Sequence, residues 1–287
     1  MLDPVLDPFS QAIAQRALVE LVLLGAVCGP LGVWVVLYRQ CYTAESVSHS
    51  MLPGLVVAAS AGIPLGLGAA AGLAVAALLI SLASRQHAVS TDSAVAVTVT
   101  GLFGLGSLLA LSPETPLRVG ELLFGDPLGI SAGDLAATAA LTLAVAAGLA
   151  FASRDLTLAG FDPQAAPSLG ASPARSGLIL LVLLAATVLV AVQALGNLLV
   201  VAILVGPAIA ALRLTERIGA ALASAALIAI AAGVAGIYLS HYAEIALGAS
   251  VALSAIAPAA LALLVQRPGS RPLAGRGGSP VEALGGL

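Results

Sequence analysis

From Leu178 to Val192 the chain is apolar at every position but Thr187, and runs of this kind recur along the whole sequence. As a helix, an apolar stretch of about 20 residues matches the thickness of a bilayer core. Closed β-barrels also cross membranes, but they need alternating polar and apolar residues, and these runs do not alternate. The expected fold is therefore all-α, a polytopic transmembrane helical bundle. Charge content agrees. Only 9% of the 287 residues are charged and 60% are hydrophobic, against roughly 25% charged in a soluble domain. Aromatic residues make up 3%, so packing rests on Ala, Leu, Val and Gly. Small residues let spanning helices approach closely.

Spans are expected near 17–38, 46–63, 65–83, 93–112, 134–152, 176–195, 197–214, 218–239 and 245–265. Only Gly62, Ile63 and Pro64 separate the second from the third, and the sixth and seventh nearly fuse. The count is thus eight or nine, with nine as the working number. Residues 1–16 form an N-terminal segment, either lying at the interface through Phe9 and Ile13 or mobile. Residues 17–265 form the transmembrane domain. Residues 266–287, rich in Gly, Pro and Arg, read as a flexible tail.

Basic residues orient such a bundle, because loops rich in them stay in the cytoplasm. In the nine-span count Arg39, Arg85, Arg154, Arg175, Arg213, Arg217 and the tail arginines Arg267, Arg271 and Arg276 share one side, expected to be cytoplasmic. Arg16 and Arg118 fall on the other side. An eight-span count would move the N-terminus inside. The chain has no Lys, so it lacks the lysine of a phosphate-cradling P-loop. Its cysteines, Cys28 and Cys41, form neither a C-x-x-C pair nor a disulfide framework. The net charge of −3 is small and says little about partners; membrane lipid is the expected surroundings, and no nucleic-acid partner is expected.

Ionisable groups inside spans are costly and commonly functional. The clearest group is Glu45-Ser46-Val47-Ser48-His49-Ser50-Met51-Leu52-Pro53-Gly54. Glu45 and His49 are four apart, which puts both on one helix face. A carboxylate oxygen with an imidazole nitrogen suits a borderline divalent ion such as zinc or manganese. Two ligands are too few for a closed structural site, which takes four; they suit a transient station, and two copies of the chain would supply four. Pro53 and Gly54 are expected to bend the helix nearby. In the plainer reading Glu45 lies at the interface and His49 hydrogen-bonds a neighbouring helix.

Other polar positions carry weaker signals. His241 and Glu244, with Tyr238, Ser240 and Tyr242, occupy the turn between the last two spans. A solvated turn with interfacial tyrosines is favoured there; an outer gate or docking surface is the other reading. His87 reads as solvated. Gln193 and Asn197 suit interhelical hydrogen bonds. Pro207, after Gly206, is a hinge candidate inside a span. In 154–175, Asp162 reads as an N-cap with Pro163 at the first helical position. A short helix across a cytoplasmic loop there would let a soluble motor push the bundle; a capped surface helix is the plainer reading.

In this order the motifs resemble the ABC-3 family of zinc and manganese importer permeases, over roughly residues 9–265. The motifs are Gly32-Val33-Trp34-Val35-Val36-Leu37-Tyr38-Arg39, the Glu45–Gly54 stretch (similar to the family's G-D-A-x-S-H-A-x-L-P-G), Thr91-Asp92-Ser93-Ala94, and Leu123-Phe124-Gly125-Asp126. Phe161-Asp162 with Ala166 and Gly170, Gln193-x-x-Gly196-x-Leu198-Leu199-Val200, and Pro207 follow. The resemblance implies a homodimeric permease in the cell membrane, working with cytoplasmic ATPase subunits and an extracytoplasmic metal-binding protein. ATP would be hydrolysed on the partner, so the chain itself is not expected to be an enzyme or to hold a permanent cofactor; zinc or manganese would be cargo, zinc favoured by the imidazole. It places Glu45 and His49 on the metal path and makes Phe161, Asp162, Ala166 and Gly170 the coupling helix. The sequence departs from the pattern at Glu45, where the family has Asp, and at Ala44, where it has Gly.

Three other readings compete. A secondary transporter driven by an ion gradient would work without an ATPase; carboxylates beyond Glu45 are scarce inside the spans. A permease for a metal chelate would take a bulkier ligand than the Glu/His pair suits. An intramembrane enzyme would need a motif such as H-E-x-x-H or a Ser–His–Asp set, and neither is evident.

Overall fold

A computed structural model describes residues 12–83, 91–112, 131–195 and 197–264. The expected N-terminal segment through residue 11, Arg85, His87, Arg118, the 123–126 motif, Gly196 and the 266–287 tail fall outside the described residues. The described residues form ten α-helices: α1 (Ala12–Leu37), α2 (Cys41–Ser50), α3 (Leu52–Ala61), α4 (Leu65–Ala83), α5 (Thr91–Ala110), α6 (Ala132–Phe161), α7 (Pro173–Leu195), α8 (Asn197–Leu214), α9 (Ile218–Ala243) and α10 (Leu247–Leu264). A 3-10 turn, Ala166–Leu169, lies between α6 and α7. There is no strand among the described residues.

Six of these helices are long and apolar enough to cross a membrane, and α4 and α8 are shorter apolar helices. The expected span 46–63 is instead two helices. It begins earlier, at Cys41, and breaks at Met51, with Pro53 in the first turn of α3. Ser46, Ser48 and Ser50 each donate back to the carbonyl four residues earlier, at 2.7, 3.2 and 2.6 Å. Such back-bonding bends helices, and here it precedes the break. The expected span 134–152 runs on to Phe161 as a helix of 30 residues. At 1.5 Å per residue that is about 45 Å, longer than the roughly 30 Å hydrocarbon core.

Helix directions follow from the contacts. Thr138 reaches Glu20 and Tyr38 reaches Leu156, so α1 and α6 are parallel. A Cβ added at Gly25 or Gly29 would meet the backbone of Ala229–Ile230 or of Ala225–Ala226, so α9 is antiparallel to α1. Arg39, Arg154, Arg175, Arg213 and Arg217 therefore share one end of the bundle, and Arg16 lies at the other. The core runs through Leu24, Leu31, Trp34, Leu156, Leu184 and Ile203, all buried. The outer surface is apolar as well. Phe151 is 95% exposed, and Val97, Leu108 and Leu143 are also exposed, as a lipid-facing surface requires.

Close helix approach is where glycine matters. Gly54 of α3 lies against the carbonyl of Gly68 in α4, and Gly68 against that of Gly54. A side chain at either position would overlap backbone, so this pair sets the α3–α4 distance.

Candidate functional site

Helix α2 starts where α1 ends and turns back into the bundle. α1 closes with a left-handed residue: Arg39 has φ 58, its N–H donates to Val36 O, and Gln40 N–H donates to Val35 O. This is a Schellman ending with arginine in the place glycine usually takes. It reverses the chain within three residues and aims α2 inward. Glu45 then lies about 6 Å and His49 about 12 Å along α2 from Cys41, at 1.5 Å per residue.

The two side chains meet as their spacing predicts. His49 Nε2 is 3.9 Å from Glu45 Oε1, and the His49 ring stands edge-on to Phe103 of α5, centroids 5.0 Å apart. Phe103 fixes the imidazole from one side. His49 is 18% exposed and Glu45 54%, so the carboxylate opens onto the surface of the single chain. The neighbouring serine hydroxyls are occupied by their own helix. Among the described residues no group of three His, Cys, Asp or Glu side chains converges, so they offer a pair of ligands and no closed cage.

At the arginine-rich end the chain leaves α6 through a tight turn. Asp162 Oδ1 accepts from Gln164 N–H at 3.1 Å and Ala165 N–H at 2.9 Å, the N-cap role expected of it. The helix it caps is shorter than an α-helix: a turn, then the 3-10 stretch, then Gly170 at φ 81, a conformation that glycine adopts without steric cost. Ala166 is buried with Ala159 and Ala171 beneath Tyr38, while Phe161 and Leu169 are exposed. Arg154 Nη2 reaches Leu169 O at 3.4 Å.

The remaining candidates are separate. Pro207 sits inside continuous α8. His241 belongs to the last turn of α9 and stands edge-on to Tyr242 at 5.1 Å. Glu244 follows with φ 54, and both are exposed at the end opposite the 162–170 turn. The side chains of Thr91, Asp92, Gln193 and Asn197 lie outside what is described. Sequence reasoning passed over Glu20. It is fully buried in α1 and accepts a 2.7 Å hydrogen bond from Thr138 Oγ1. An ionisable residue inside a span was itself the available signal.

Fold and site together define a multi-pass helical membrane protein with a polar pair on a broken helix. The ABC 3 transport family model matches residues 10–266, and the chain belongs to that family. It is 34% identical over 254 residues to the "Manganese transport system membrane protein MntC" of Halalkalibacterium halodurans, covering 88% of this chain and 87% of the relative. It is 31% identical over 250 residues to the "Chelated iron transport system membrane protein YfeD" of Yersinia pestis, covering 86% and 83%. The fold is similar to that in "PsaBC from Streptococcus pneumoniae in complex with Fab", with a TM-score of 0.84 at 23% identity over 92% of this chain and 96% of that one.

Proposed function

We propose that this chain is the membrane-spanning subunit of an ATP-driven importer of a divalent metal ion. The observation that carries the reading is the Glu45–His49 pair, 3.9 Å apart with its carboxylate exposed on a chain whose helices expose many large apolar side chains. An ionisable group inside a span almost always faces protein or a water-filled cavity rather than lipid. A second copy of the chain packed against α2 would cover Glu45 and bring two carboxylates and two imidazoles to one axis, four ligands for a passing ion. Pro53 and Gly54 beside the α2–α3 break, and Pro207 in α8, are the hinge candidates for opening that path. The Phe161–Gly170 turn, at the arginine-rich and hence cytoplasmic end, is where a separate ATPase would push. His241 and Glu244, at the opposite end, would form an outer gate facing a metal-binding protein.

Carboxylate plus imidazole fits manganese, iron(II) and zinc alike. The relatives are named for manganese and chelated iron, which favours those metals over the zinc that the imidazole alone suggested. A metal chelate as cargo is the second reading, favoured by the name of the Yersinia pestis relative. The test is metal uptake in cells lacking their own importers. Glu45→Gln and His49→Ala are expected to abolish uptake at normal expression, and wild-type uptake in both would sink the site assignment.

A further inference from the structure

We propose that Tyr38 is a positioning residue that carries movement of the 162–170 turn to the metal-bearing helix α2, a role that rests on the coupling function proposed above for that turn. Tyr38 stands at the junction of three elements. Its hydroxyl donates to Leu156 O of α6 at 3.0 Å. Its ring packs over Ala159, Ala166 and Ala171, and Ala166 is the buried first residue of the 3-10 turn. The ring also lies against Gly160, so closely that an added Cβ would come within 2.9 Å of Tyr38 Cε2. On its other side the backbone passes through Arg39 and Gln40 directly into α2.

The wider packing channels a push toward that link. α1 and α6 are joined at both ends. At the far end Thr138 donates to Glu20 at 2.7 Å and Thr142 to Leu23 O at 3.4 Å; at the near end Tyr38 donates to Leu156 O. Helices held at both ends do not slide past one another readily. A displacement of the turn against Tyr38 is therefore expressed at the first joint beyond it, the non-helical link Arg39–Gln40. That link bears two marks of a joint. Arg39 holds φ 58, a left-handed conformation that costs an L-residue, and Gln40 lies outside both helices at φ −99, ψ 20. Ala44 N–H bonds to Gln40 O at 3.0 Å, so rotation at Gln40 turns the first turn of α2 and Glu45 with it.

The test uses the complete complex, permease with its ATPase and binding protein, in vesicles. Import of manganese, iron(II) and zinc is measured in parallel with ATP hydrolysis. Tyr38→Phe keeps the ring and removes the donor; Gly160→Ala keeps the donor and displaces the ring. Both are expected to raise the ATP hydrolysed per ion imported, Tyr38→Phe by about five-fold, the factor that a hydrogen bond of ordinary net strength commands, while hydrolysis itself continues. A purely structural role would lower the unfolding temperature and leave that ratio at the wild-type value. An unchanged ratio in both variants overturns the role of Tyr38 while the importer reading stands. A wild-type complex that imports none of the three metals overturns both.

Discussion

Thr138 Oγ1 donates a 2.7 Å hydrogen bond to Oε1 of Glu20, with both residues buried between α1 and α6. Among the described residues the other carboxyl oxygen, Oε2, has no hydrogen-bond partner. An ordinary interhelical hydrogen bond in a membrane protein contributes only about 0.6 kcal/mol. Here, among the described residues, the bond is the one hydrogen bond of a buried carboxyl group, and leaving such a group unpaired costs about 1–3 kcal/mol. Thr138→Val, which keeps shape and loses the donor, is expected to destabilise by that larger amount. Thermal unfolding in detergent measures it. Glu20→Gln keeps the acceptor without the charge and is expected to be tolerated. A Thr138→Val protein as stable as wild type would show that the bond holds nothing together.

The Gly54–Gly68 contact sets a second expectation. A methyl group at Gly54 would overlap the Gly68 carbonyl, a backbone atom that cannot rotate away. Overpacking of this kind costs about 1–3 kcal/mol, so Gly54→Ala should lower both yield and unfolding temperature. Gly66, two residues from Gly68 in α4, has nothing within 4 Å of an added Cβ. Gly66→Ala is expected to match or exceed wild-type stability. The pair of variants separates helix contact from helix propensity, and equal losses in both would rule out the contact as the cause.

Much of this was legible in the sequence because the bilayer imposes it. Apolar runs gave α1, α4, α5 and α7 to α10 to within a few residues. The i, i+4 spacing placed Glu45 and His49 together, and the Asp162-Pro163 signal located the cap. The α2–α3 break was legible only in part. Pro53 pointed to a bend, but the break falls at Met51, before the proline, where three serines bond back to their own helix. The length of α6 was hidden by Arg154 and Asp155, whose charges read as a loop; a helix may carry charges once it leaves the hydrocarbon. Glu20 and Tyr38 matter through partners 118 residues away, and no local pattern encodes such pairs.

Asp162 caps its turn with two hydrogen bonds, so Asp162→Ala should cost about 0.5–2 kcal/mol of local stability. The turn is exposed, and global unfolding is expected to shift little. Local loosening is better read by amide hydrogen exchange at Gln164 and Ala165, whose N–H groups are the donors. Faster exchange confined to 162–170 is expected, together with weaker co-purification of the ATPase subunit. Asp162→Asn keeps an acceptor oxygen and should restore most of both. Full ATPase binding by the alanine variant would remove this turn from the contact with the motor.

Arg39 holds a left-handed conformation, φ 58, at the end of α1. For an L-residue that costs roughly 1–2 kcal/mol, and alanine in its place would bear the same cost. Glycine escapes it but adds freedom to the unfolded chain, an opposing effect of about 0.5–1 kcal/mol. Arg39→Gly should therefore be more stable than Arg39→Ala by up to about 1.5 kcal/mol, measured as the difference in unfolding temperature. The same change loosens the link between Tyr38 and α2. If that link carries the push from the 162–170 turn, the glycine variant will import less metal per ATP than the alanine variant despite its greater stability. Import that simply follows stability across the two variants would place the joint elsewhere.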